Sequence, residues 1–125
     1  NSKATNVEAT YNSLKNYKNV ILILGGRAKE KNFNKLIKLN SNIHKAFIYG
    51  ESVNMISDQI KSKINFHKCK NLEEVIYQIF TKIDFKSDKK TILFAPACTS
   101  FDEYKNFEER GRHFTFLIKK FKKIN

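Results

Sequence analysis

Val20-Ile21-Leu22-Ile23-Leu24-Gly25-Gly26-Arg27-Ala28-Lys29 is the stretch on which the fold turns. Its apolar half is unbroken and partly β-branched. A strand with one wet face alternates apolar with polar residues, whereas an unbroken run suits a central strand covered on both faces, as in a parallel sheet. The paired glycines then end the strand in a tight turn, and two cations follow at its carboxyl end.

Outward from this strand, Lys45-Ala46-Phe47-Ile48-Tyr49, Ile64-Asn65-Phe66-His67-Lys68 and Thr91-Ile92-Leu93-Phe94 are further strand candidates. Helical patterns separate them. Thr5-x-x-Glu8 and Asn71-x-x-Glu74 read as capping signals, the second opening a helix with Leu72, Val75, Ile76, Ile79, Phe80 and Ile83 on one face. Leu36, Ile37 and Leu39 mark a short helix, and Val53, Met55, Ile56 and Ile60 mark another after Gly50. Phe107, Phe114, Leu117, Ile118 and Phe121 mark the last, with lysines near its end where the helix dipole favours them. Strand and helix in alternation predict an α/β, Rossmann-like three-layer domain with a mostly parallel sheet flanked by helices.

The 125 residues suffice for a single domain, residues 1–125, with a sheet buried between helices. The formal net charge of +12 raises the question of nucleic acid. Lysines are spread through helices and loops beside many asparagines and isoleucines, which is compositional drift; a nucleic-acid surface shows arginine-rich clusters interleaved with exposed aromatics. The positive field suits small anionic substrates better. No secretory signal pattern opens the chain, and its longest apolar run, Val20-Ile21-Leu22-Ile23-Leu24, cannot span a bilayer, so no membrane is expected and the location read is cytoplasmic. In that reducing compartment Cys69 and Cys98 are expected as thiols.

Residues able to carry chemistry gather after strands. Gly25-Gly26-Arg27-Ala28-Lys29 lets backbone and a cation approach a ligand at a strand's carboxyl end. It has neither the glycine spacing of a dinucleotide fingerprint nor the Gly-Lys-Ser/Thr ending of a phosphate loop, and an ordinary turn with two solvated cations is the competing reading. Thr5 reads as a helix N-cap, and the free N–H groups of a helix start also attract anions. After the last strand runs Pro96-Ala97-Cys98-Thr99-Ser100-Phe101-Asp102-Glu103-Tyr104-Lys105-Asn106-Phe107-Glu108-Glu109-Arg110-Gly111, rich in small, hydroxyl and charged residues. Ser100-x-x-Glu103 is itself a capping signal, and a serine without a histidine base is a poor nucleophile. Cys98 reads as a small packing residue, because no base is announced for a thiolate. His44, His67 and His113 show no metal-ligand spacing with either cysteine, so no metal site is assigned.

The segment from Pro96 to Gly111, the turn Leu24-Gly25-Gly26-Arg27-Ala28-Lys29 and the opening Asn1-Ser2-Lys3-Ala4-Thr5-Asn6 together resemble, in order and separation, motifs of the bacterial D-glutamate-adding Mur ligases. Three ordered motifs are far more specific than any one. The resemblance implies an ATP-dependent enzyme joining D-glutamate to UDP-N-acetylmuramoyl-L-alanine in peptidoglycan synthesis through an acyl phosphate. It implies that this chain is the C-terminal domain of a longer protein, whose N-terminal uridine-nucleotide domain and central ATPase domain lie outside it. ATP and Mg would be held mainly by the central domain, and no catalytic residue is assigned here. By resemblance Thr5, Lys29, Ser100 and Phe107 bind D-glutamate: Lys29 pairs with a carboxylate, the Ser100 hydroxyl donates to one, and Phe107 acts through its backbone. Lys3 resembles the lysine that reaches toward the ATP phosphates. Asn1 stands where relatives carry an aspartate that touches adenosine, which puts that contact in doubt. Arg27 stands where relatives vary, and its role is open. Two other classes compete: a non-catalytic nucleotide-sugar or amino-acid binding module, and a basic nucleic-acid-binding domain. An upstream Gly-Lys-Thr loop separates the ligase from the first, and steep salt-dependent oligonucleotide binding would mark the second.

Overall fold

The computed structural model describes residues 6–27, 32–97 and 107–124. The chain runs α1 (Val7–Leu14), β1 (Val20–Gly25), a 3-10 helix (Asn34–Asn42), β2 (Ile43–Tyr49), α2 (Val53–Ile60), β3 (Phe66–Lys68), α3 (Leu72–Lys82), β4 (Thr91–Ala97) and α4 (Phe107–Ile124). The strands form one sheet in the order β3-β2-β1-β4. Every pairing in it is parallel. β1 is therefore central, as its apolar run requires.

Alternate β1 side chains enter two separate cores. Val20, Leu22 and Leu24 pack with Val7, Leu14, Leu36, Ile56 and Ile60, so α1, the 3-10 helix and α2 cover one face. Ile21 and Ile23 pack with Leu72, Val75, Ile76, Ile79 and Leu117, so α3 and α4 cover the other. All six residues of β1 are buried. The result is the three-layer α/β arrangement, with the strand order of half a doubly wound sheet.

Local chemistry shifts several expected boundaries. The N-cap of α1 is Asn6, not Thr5: the Asn6 side chain accepts from the Ala9 N–H at 2.7 Å. Asparagine and threonine both cap, and the asparagine carbonyl reaches the third helical N–H without Thr5. Asn71 caps α3 as expected, accepting from the Glu74 N–H at 2.9 Å, while Glu74 accepts from the Lys70 N–H at 3.3 Å. Asn71→Ala should lower the stability of the chain by about 1 kcal/mol, read as a shifted urea midpoint at unchanged slope.

The short helix around Leu36 is 3-10, with a non-helical Leu39 (φ −110°, ψ 26°) inside it. Only Phe66–Lys68 pair as β3, because the Lys63 and Ile64 N–H groups donate to the Ile60 carbonyl and finish α2 instead. β4 runs beyond Phe94 to Ala97 and includes Pro96. Proline cannot donate to a ladder, but β4 is an outer strand of the sheet, and the β1–β4 register slips between Ile23 and Gly25 beside it.

Buried Asn42 closes the layer under α1, its amide donating to the Leu14 and Tyr17 carbonyls at 3.3 and 3.0 Å. Asn19, at φ 55°, ties the start of β1 to the approach to β4 by donating to Asp88 and the Lys89 carbonyl at 2.8 and 2.9 Å. Cys69 is a buried free thiol. Burial pushes its pKa up to about 12, with Glu74 adding to the rise and Lys45 opposing it. At pH 8 iodoacetamide should alkylate Cys69 on the order of a thousandfold more slowly in the native than in the denatured chain, as read by peptide mapping. Equal rates would show that the thiol is open to solvent.

Candidate functional site

In an open parallel sheet a ligand crevice forms outside the carboxyl ends of the strands, where the strand order reverses. Here the chain moves outward from β1 to β2 and β3, then returns to place β4 on the other side of β1. The reversal lies between β1 and β4. Gly25 sits at its carboxyl end, paired with Tyr49 of β2 and Ala97 of β4.

The described chain ends beside the expected motifs meet at this edge. α1 packs on β4, with the Thr10 hydroxyl bonded to the Asn6 carbonyl at 3.1 Å and set 3.5 Å from the Ala95 carbonyl. Asn6, one turn earlier, brings the start of α1 toward the carboxyl edge. Arg27 leaves β1 there, Ala97 ends β4, and Phe107 opens α4.

The turn after β1 is fastened to β2. Gly26, at φ 108°, occupies a conformation that favours glycine. Its N–H donates to the Tyr49 carbonyl at 3.2 Å, and its carbonyl accepts from the Ser52 N–H at 3.1 Å. Gly50, at φ 90°, makes the matching bend after β2. Arg27 and Glu51 then join the two turns through an ion pair at 2.7 Å, both side chains about half exposed. The guanidinium whose role the sequence left open thus lies on Glu51, linking the two turns at the surface. The signal was weak, since Glu51 is one acid among many.

Asn1, Lys3, Thr5, Lys29 and Ser100 lie outside the described residues, as does Cys98. Phe107 is the first residue of α4. What the structure brings together is the set of chain ends neighbouring these residues in sequence: Asn6 next to Thr5, Arg27 shortly before Lys29, and Ala97 shortly before Ser100. Among the described residues no three His, Cys, Asp or Glu gather to hold a metal ion. Among them, too, no helix is long and apolar enough to cross a membrane.

No family model matches the chain. It is 40% identical over 119 residues to the UDP-N-acetylmuramoylalanine–D-glutamate ligase of Wolbachia sp. subsp. Brugia malayi, covering 95% of this chain and 24% of that protein. It is 35% identical over 120 residues to the ligase of the same name from Rickettsia felis, and 36% over 122 residues to that of Pseudothermotoga lettingae. Those matches cover 95% and 94% of this chain but only 27% and 28% of the two relatives. The chain thus spans about a quarter of the length of the relatives it matches. Among solved structures, UDP-N-acetylmuramate-alanine ligase of Thermotoga maritima superposes with a TM-score of 0.61 over 98% of this chain and 26% of that one. At 15% identity it supports the fold alone. Identity along nearly the whole chain carries further than the fold: the chain is homologous over that length to one segment of the UDP-N-acetylmuramoylalanine–D-glutamate ligases.

Proposed function

We propose that the chain is the C-terminal, D-glutamate-binding domain of an ATP-dependent ligase that adds D-glutamate to UDP-N-acetylmuramoyl-L-alanine. The observation that carries this reading is the 40% identity over 95% of the chain to a relative named for that reaction. The three ordered sequence motifs lie within the same stretch and name its candidate residues.

In this reading Lys29 supplies the cation that a substrate carboxylate needs once it leaves water, and the Ser100 hydroxyl and Phe107 backbone add donors. Thr5, beside the start of α1, contributes at a helix end whose unpaired N–H groups favour an anion. Lys3 and Asn1 lie toward ATP. Activation of the substrate carboxylate as an acyl phosphate draws on ATP and Mg held mainly by a central domain of the longer protein. The D-glutamate amine, held in place by this chain, attacks the activated carbonyl, and phosphate leaves as the amide forms. The contribution of the domain is orientation and charge neutralisation.

In the longer protein containing this chain, phosphate release should require ATP, UDP-N-acetylmuramoyl-L-alanine and D-glutamate together. The 125-residue chain alone should release none. Steady release by the pure chain, or release from the longer protein that ignores D-glutamate, would overturn the assignment.

A further inference from the structure

At the opposite end of the sheet, a pocket of about 410 Å³ opens between α3, α4 and the start of β4. Phe80, Phe85, Ile92, Phe114, Ile118 and Lys90 line it. Its volume falls in the ordinary range for small-molecule sites. It lies at the amino edge of the sheet, because Lys90 immediately precedes Thr91, the partner of Val20 at the start of β1. The Phe80 and Phe85 rings stand 5.9 Å apart, and Phe114 stacks on Phe94 at 4.3 Å. The walls are thus fixed by the core beneath them.

The cation in this apolar lining is unusual. The Lys90 side chain is only 4% exposed. Its ammonium donates to the Asp84 carbonyl at 2.7 Å and to the Asp88 carboxylate. An ammonium has three N–H groups, so among the described residues one donor remains beyond these two. Asp88 is about half exposed. Four lysines (82, 86, 89 and 90) against Asp84 and Asp88 keep this segment positive. Five apolar walls around one anchored cation make a complement for an apolar body with an anionic head.

We propose that this pocket binds a small carboxylate with an apolar body, its head on Lys90 and its tail against Phe80, Ile92, Phe114 and Ile118. The site stands apart from the carboxyl edge and does not depend on the ligase reading. The probes are octanoate and octanol, below their aggregation limits, titrated into the chain while the Ile92 and Ile118 methyl signals are followed by NMR. Octanoate should shift both methyls saturably, and octanol should bind at least about tenfold more weakly, since a charge-assisted hydrogen bond is lost. Lys90→Met should bring octanoate down to the affinity of octanol. Should Lys90→Met fail to fold, the comparison of octanoate with octanol on the unaltered chain decides alone. Absence of saturation, equal binding of octanoate and octanol, or methyl shifts that follow chain concentration instead of ligand would each overturn the proposal, the last by assigning the pocket to a second copy.

Discussion

Lys29→Met in the longer protein is expected to raise the apparent KM for D-glutamate by about 10- to 100-fold while leaving that for ATP within about threefold. The reasoning is electrostatic. A carboxylate moved out of water needs a cation or several donors, and a charge-assisted hydrogen bond contributes about 1.5 to 3 kcal/mol, which at 1.4 kcal/mol per decade gives the stated range. Methionine keeps the length and apolar stem of lysine but removes the ammonium, so the effect falls on the group that binds it. Initial rates measured against each substrate in turn separate the two constants. Equal rises for D-glutamate and ATP would mean that Lys29 supports the closed enzyme as a whole and would remove it from the D-glutamate site. The turn that precedes Lys29 in sequence is held by Gly26 bonds on both sides and by the Arg27–Glu51 pair.

Gly25→Ala is the second large effect, and it falls on stability. A Cβ at Gly25 would stand 2.4 and 2.5 Å from Tyr49 Cδ1 and Cε1, and 2.5 Å from the Tyr49 carbonyl oxygen. The glycine is required by close approach rather than by an unusual φ. The ring is fully buried, and the carbonyl already accepts from Gly26 in a strand paired with β1, so neither yields without disturbing the sheet. Overpacking of this kind costs about 3 kcal/mol or more, a large part of the total stability of a domain of this size. Thermal unfolding should move down by roughly 10 °C. A fall of less than about 2 °C with cooperative unfolding would show that the end of β2 shifts freely.

How much of this was legible in the sequence varies by element. The unbroken run at β1 gave its central place, because only a strand covered on both faces tolerates six buried residues in succession. α3 was equally plain, with Asn71 at its start and its apolar residues at helical spacing. The 3-10 helix was not: Leu36, Ile37 and Leu39 have helical spacing, but Asn34, Asn40, Ser41 and Asn42 crowd it with side chains that compete for backbone groups. The last three residues of β4 hid behind Pro96, since proline argues against a strand unless that strand lies at the edge, and edge position is a property of the whole sheet. The one-residue move of the α1 cap turned on which of two good capping residues reached the Ala9 N–H. Of the site, the motifs named their residues by resemblance. The bracing of Arg27 by Glu51 depended on two turns meeting in space, which neither turn announces.

The two outer strands also bear on how the domain meets its own copies. β3 offers only Phe66–Lys68 and is followed by Lys70, while β4 carries a proline with no N–H to give near its end. An outer strand recruits another chain when it presents a long, flat and unbroken row of backbone groups. Among the described residues one edge is too short and the other is interrupted, so edge-to-edge growth into larger aggregates has little to start from at these strands, even at the high local concentrations of overexpression.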